Sequence, residues 1–114
     1  MKNICLCCGY RTIDVRGDYQ ICPVCYWEDD RYVLLLPDGN FSSVMYKAGY
    51  DDDEKLVEII IDMESDVNND LTLRQARANY LEFGACQKEK LKHCRKPTES
   101  EMVQAAMNHS VLEQ

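Results

Sequence analysis

The apolar positions of this chain change period along its length, and each change marks an expected element. Over residues 10–21, Tyr10, Thr12, Ile13 and Val15 lead into Arg16-Gly17-Asp18, and Tyr19 and Ile21 lead out. That near-alternation around a turn predicts a short hairpin. Tyr32 to Leu36 reads as a second β stretch, Pro37-Asp38-Gly39-Asn40 as a strong turn, and Phe41 to Tyr46 as the returning strand. From Asp52 onward Leu56, Ile59, Ile60 and Met63 recur at i, i+3, i+4 and i+7, one face of a helix. The run Ile59-Ile60-Ile61 is also strand-like, so residues 51–66 stay open between helix and strand.

Two helix starts are clearer. Thr72 and Gln75 have the capping-box spacing, Leu73, Ala76, Tyr80 and Phe83 form a stripe behind them, and Gly84 suits a left-handed stop. Arg74 and Arg77 read as lying off that stripe. Pro97-Thr98 followed by Glu101 opens a last helix through Met102, Ala105 and Ala106 toward His109. There is no internal repeat and no low-complexity linker.

With 114 residues the chain fits a single domain able to bury about two-thirds of its unfolded surface. The net charge of −7 is unevenly distributed. Residues 51–70 carry nine acidic side chains against Lys55, a net of −8, while residues 88–96 carry a net of +4. An acidic face disfavours general nucleic-acid binding, in which phosphate contacts supply most of the affinity. It suits a cationic partner, or it is simply a solvated helix face. No apolar run near Met1 and Lys2 is long enough for a signal peptide, and Val33 to Leu36 is the longest apolar stretch, far short of a membrane span. A cytoplasmic, reducing location is therefore expected, where paired cysteines are metal ligands more often than disulfides.

Five of the seven cysteines fall in the first 27 residues. Cys5-Leu6-Cys7-Cys8-Gly9 and Cys22-Pro23-Val24-Cys25 supply two CxxC pairs separated by thirteen residues, the arrangement a four-thiolate zinc site requires. In each pair a tight turn aims both sulfurs at one ion; Gly9 permits the first turn and Pro23 stiffens the second. Cys5, Cys8, Cys22 and Cys25 are the expected ligands, with Cys7 an alternative to Cys5 or Cys8. Cys86 and Cys94 are remote from any second pair, and His93-Cys94 reads as a surface pair. Thiol-redox chemistry is the rival use, but a redox CxxC sits at a helix N-terminus, whereas these pairs flank a hairpin.

No catalytic set emerges. Four protein ligands leave zinc no open position for water, and both histidines, His93 and His109, come late in polar company. Glu28, Asp29 and Asp30 read best as capping and salt-bridge groups, and Trp27 as core packing over the knuckles.

The strings CLCCGY, YQICPVCYWEDD, LTLRQARANYLEFGA and RKPTESE together resemble the bacterial cysteine-rich CPCC family, over roughly residues 5–30 and 70–101. Leu6 stands where the namesake motif has proline, which removes no ligand. Residues 31–70 look longer than the family's link, making the acidic segment particular to this chain. The resemblance implies a small zinc-ribbon-like domain with an appended helix. It also implies relatives encoded beside secreted polymorphic toxins, where small acidic proteins act as cognate immunity proteins.

The expected protein is thus α+β and non-enzymatic. A zinc-ribbon-like module over residues 1–30 has a knuckle pair and a short hairpin; an extension over residues 31–114 adds a second hairpin and about three helices in one continuous domain. Zinc is the expected cofactor and a cognate toxin, in its sharpest form a basic nuclease, the expected partner. Asp51, Asp52, Asp53, Glu58 and Asp62 are the candidate contacts, with Tyr46 and Tyr50 as anchors. The alternative is a nucleic-acid-binding or transcription-associated zinc ribbon using Lys88 to Lys96.

Overall fold

The computed structural model of the chain describes residues 2–34, 57–58 and 60–102. It is a small α+β protein built around an N-terminal cysteine cluster. Strand β1 (Asn3–Ile4) pairs antiparallel with β2 (Arg11–Ile13), Asn3 opposite Ile13 and Ile4 opposite Arg11, with a register irregularity between Asn3 and Ile4. The first cysteine knuckle is the turn between these strands.

This pairing corrects the hairpin expected across residues 10–21. Its first limb pairs backward with β1, and Ile21 instead makes a bridge to Glu28 around the second knuckle. The Gln20 side chain accepts hydrogen bonds from the N–H groups of Asp14 and Val15, at 2.7 and 3.2 Å, which a partner strand would otherwise receive. Arg16, expected in the hairpin's turn, is buried against Asp29. The segment from Asp14 to Gln20 is therefore a loop joining two ribbons, with Arg16 and Gly17 turned inward.

The second β stretch is also corrected where it is described: Tyr32–Leu34 forms a 3-10 turn. Asp30 Oδ1 accepts from the Tyr32 N–H at 2.8 Å, and the adjacent residues Val33 and Leu34 are both buried, which strand alternation does not allow. The turn and returning strand expected over 37–46 lie outside the described residues. Val57, Glu58 and Ile60 are helical, with Val57 and Ile60 buried one turn apart. The expected stripe does not reach Met63, which is 37% exposed beyond a turn closed by its N–H on the Ile60 carbonyl. Leu56 and Ile59 lie outside the described residues.

The capping box works as expected. Thr72 Oγ1 accepts from the Gln75 N–H and Gln75 Oε1 from the Thr72 N–H, opening helix α1 (Leu73–Phe83). Gly84, at φ 91°, ends it through its N–H on the Tyr80 carbonyl. A 3-10 stretch, Lys88–His93, follows, and Thr98 and Glu101 open helix α2 (Glu99–Met102) by the same reciprocal capping. The few apolar residues of the first ribbon gain their core from later elements: Leu73 and Ala76 of α1, with Ile60 and Cys86, join Leu6, Ile13 and Trp27. Trp27 is core, as expected, at 2% exposure. No helix among the described residues is long and apolar enough to cross a membrane.

Candidate metal centre

The two knuckles superimpose residue for residue in their hydrogen bonding. In the first, the Gly9 N–H donates to the Cys5 carbonyl at 2.8 Å and the Cys5 N–H to the Tyr10 carbonyl at 2.7 Å. In the second, the Tyr26 N–H donates to the Cys22 carbonyl at 2.8 Å and the Cys22 N–H to the Trp27 carbonyl at 2.9 Å. Both turns need a left-handed residue after the second cysteine: Gly9 at φ 84° in one, Tyr26 at φ 72° in the other. Glycine takes that conformation at no steric cost, whereas tyrosine does not.

Facing one another, the knuckles bring the sulfurs of Cys5, Cys8, Cys22 and Cys25 within 4.8 Å of each other, all four side chains fully buried. Two cross-knuckle separations are 3.5 Å for Cys5 to Cys25 and 3.7 Å for Cys8 to Cys22. A disulfide needs about 2.05 Å between sulfurs. A tetrahedron of ~2.3 Å zinc–sulfur bonds has edges of about 3.8 Å. The donor set therefore fits a tetrahedral thiophilic ion. Among the described residues this is the group of cysteine, histidine or carboxylate side chains that comes together in this way.

Burial pushes the Cys5, Cys8 and Cys25 thiols above their ordinary range. Cys22 goes strongly the other way, because it accepts from the thiols of Cys25, Cys5 and Cys8 and from Thr12. The Thr12 Oγ1 hydroxyl donates to Cys22 Sγ at 3.0 Å, and the Val24 N–H approaches the same sulfur at 3.4 Å. Thiols that burial holds in the protonated form must give up their protons to ligate a cation, so metal uptake and proton release are linked.

Cys7 is buried beside this group but its sulfur is not one of the four. Cys86 is buried in the core, its thiol pushed up to about 12 chiefly by burial, and its N–H donates to the Cys25 carbonyl at 2.8 Å. Cys94 is half-buried and donates to the Lys90 carbonyl at 3.3 Å, while His93 is exposed and packs against the Tyr26 ring at 5.3 Å. Of the three carboxylates after the second knuckle, Asp29 and Asp30 have the capping and salt-bridge roles expected of them, whereas burial, and then the charge of Asp30, push the Glu28 carboxyl up. Asp29 pairs with Arg16 at 2.8 Å and accepts from the Gly17 N–H; Asp30 accepts from Ser65 Oγ at 2.7 Å.

Three supporting side chains were missed in the sequence. Thr12 carries no signal beyond being a strand residue. Asn68 is 4% exposed and bonds to the Glu28 backbone, far away in sequence. Arg77 was placed off the apolar stripe, yet it is 6% exposed, and its Nε donates to the Leu6 carbonyl of the first knuckle at 2.8 Å. The signal for Arg77 existed: it stands four residues after Leu73, on the same helix face. Burial pulls its pKa down while the charges of Cys7 and Cys5 push it up.

Of the expected partner contacts, Tyr46, Tyr50, Asp51, Asp52 and Asp53 lie outside the described residues. Glu58 is exposed. Asp62 is exposed but engaged, because Arg74 Nε and Nη2 donate to its two oxygens at 2.8 and 3.2 Å and hold its carboxyl below the usual range.

A family model described as Cysteine-rich CPCC matches residues 3–44 and 49–101. The match resumes at residue 49 and takes in the acidic segment, with residues 45–48 between the matched stretches. No curated protein and no solved structure matches the chain.

Proposed function

The chain belongs to the cysteine-rich CPCC family, and from that premise we propose that it is a non-enzymatic protein that holds one structural zinc and acts by binding a partner protein. The observation that carries the zinc reading is the complete burial of four sulfurs within 4.8 Å of one another. A four-cysteine set fills the coordination sphere, and its burial leaves a substrate no approach, so the ion serves the fold. Thiolate ligands require a reducing compartment, consistent with a cytoplasmic protein.

With chemistry removed from the centre, function falls to the surface. The acidic segment over residues 51–70, net −8, would steer a basic partner toward it. Within it Glu58, Glu64, Asp66 and Asp70 are exposed. A cognate toxin, in the sharpest version a basic nuclease neutralised by this chain as its immunity protein, is the partner we propose. Zinc content is tested by elemental analysis of protein purified without added metal, expected at about one ion per chain. The partner reading is tested by co-expression with toxins encoded beside the gene, reading rescue of growth and pull-down at low and high salt. If no neighbouring product binds, the immunity reading falls.

One observation favours a second reading. Lys88 sits over the Phe83 ring at 5.7 Å and Lys90 over the Tyr26 ring at 5.2 Å, so the basic stretch is held against the end of α1 and the second knuckle. Binding of duplex DNA at physiological salt, lost on neutralising Lys88, Lys92 and Lys96, would put a nucleic-acid role first.

A further inference from the structure

Two arginines are buried among the described residues, and they differ in what surrounds them. Arg16 faces Asp29, with Nη1 to Oδ1 at 2.8 Å, and also donates to the Ile4 carbonyl. Arg77 projects from the buried face of α1 onto the first knuckle, where its Nε donates to the carbonyl of Leu6, between Cys5 and Cys7. That hydrogen bond places the guanidinium beside the backbone that links Cys5 to Cys7, and both cysteines are fully buried.

A divalent ion held by four thiolates leaves the centre with two net negative charges, and here that charge is fully buried. A buried charge is costly unless an opposite charge or hydrogen-bond donors face it. The neutral donors to the cluster, Thr12 Oγ1 and the Val24 N–H, both reach the second knuckle's Cys22. The first knuckle has the guanidinium. Lys90 and Arg95 lie near the second knuckle, but Lys90 rests on the Tyr26 ring and Arg95, itself half-exposed, is neutralised by the buried carboxylate of Glu101.

We infer that Arg77 is a positioning residue for the metal centre: its fixed charge offsets the negative four-thiolate cluster, while its hydrogen bond to the Leu6 carbonyl holds the first knuckle closed. This inference rests on the zinc reading above. It explains why a full cation occupies a helix position whose neighbours Leu73 and Ala76 are apolar core. It also makes α1 part of the metal site, although the helix carries no ligand.

The experiment is zinc affinity by competition with a chromophoric chelator, for the wild type and for Arg77→Lys, Arg77→Gln and Arg77→Met. Loss of a supporting contact around a metal typically weakens binding about 10- to 100-fold, and that is the loss expected for Gln and Met. Lys keeps the charge and should stay within a few-fold of wild type. Gln retains an N–H donor for the Leu6 carbonyl without the charge, so wild-type affinity in Arg77→Gln would overturn the inference. Loss in Arg77→Lys as deep as in Arg77→Met would overturn it too, because shape and not charge would then matter. Should Arg77→Met fail to fold, the Gln and Lys pair decides alone. A wild-type protein that takes up no zinc would end the zinc reading itself, and this inference with it; that outcome is distinct from zinc bound equally by every variant.

Discussion

Asn68 grips the peptide of Glu28 from both sides: the Glu28 N–H donates to Asn68 Oδ1 and Asn68 Nδ2 donates to the Glu28 carbonyl, each at 2.9 Å. In the Ile21–Glu28 bridge the ladder bonds are made by the flanking residues, Asp29 N–H to Gln20 and Cys22 N–H to Trp27. The backbone groups of Glu28 therefore face away from Ile21. The Asn68 amide meets them as a third strand one residue long would. Asn68 Nδ2 also donates to Ser65 Oγ, which donates to Asp30, so one buried polar chain ties the second knuckle to the 65–71 loop.

Removing the Asn68 amide strands two backbone groups of a part-buried peptide, so Asn68→Ala should destabilise the zinc-loaded protein by about 2 kcal/mol in denaturant unfolding. Asn68→Asp keeps the acceptor, loses the donor and adds a charge near Asp30, so it should be at least as damaging. A loss under about 0.5 kcal/mol for both would mean that water replaces the amide without cost.

The cysteines should separate into two classes. Cys8→Ser and Cys22→Ser remove sulfurs of the four-membered cluster and should abolish stoichiometric zinc and unfold the N-terminal ribbons, because structural zinc contributes on the order of 10 kcal/mol. Cys7→Ser and Cys86→Ser alter buried thiols outside that cluster, and zinc content should stay at about one per chain. Elemental analysis reads both. Zinc lost in Cys7→Ser and kept in Cys8→Ser would exchange their roles.

Glu101 gives the fold a pH-dependent clasp. Arg95 donates to both its oxygens at 2.8 Å, and with help from Thr98 this outweighs burial and lowers its pKa from 4.5 to about 2. A depressed carboxylate stabilises the fold above its unfolded pKa, and the contribution is lost as pH falls from about 4.5 toward 2. Arg95 is half exposed, so solvent screening reduces the effect to on the order of 1 kcal/mol at pH 7. The stability gap between wild type and Glu101→Gln should be flat from pH 7 to 5 and begin to shrink toward pH 4. Acid release of metal acts on both proteins and cancels in the difference. A gap that widens on acidification would contradict the assignment.

Local signals in the sequence placed what local chemistry determines. The capping boxes at Thr72 and Thr98 and the stop at Gly84 are each written within a few residues, and the CxxC pairs carry their own turn geometry. Strand pairing was misplaced because the competition is between distant partners: β2 had β1 and residues 19–21 available, and the burial of Arg16 on Asp29, invisible to a window of neighbours, decides it. Arg77 reads as off the apolar stripe because arginines are rarely fully buried, although its spacing from Leu73 puts it on the buried face. Asn68 had no local signal at all, since its partner is forty residues away.

The matched geometry of the two knuckles allows the left-handed position to be tested twice. Gly9 and Tyr26 occupy the same place, at φ 84° and 72°, and both N–H groups close their turn on the first cysteine's carbonyl. For an L residue this conformation costs roughly 1–2 kcal/mol, so Gly9→Ala should destabilise by about that much. At Tyr26 the strain is already present, offset in part by ring contacts to Lys90 and His93. Tyr26→Ala gives up the ring and keeps the strain, and should lose about 1 kcal/mol. Tyr26→Gly gives up both, and should fall within about 0.5 kcal/mol of wild type. Glycine should therefore be more stable than alanine at position 26, the reverse of the order expected in ordinary extended backbone, where glycine loses more entropy on folding. Unfolding free energies of the three variants at saturating zinc read this order directly. Alanine equal to or better than glycine at position 26 would show that the second knuckle does not hold Tyr26 in the left-handed conformation.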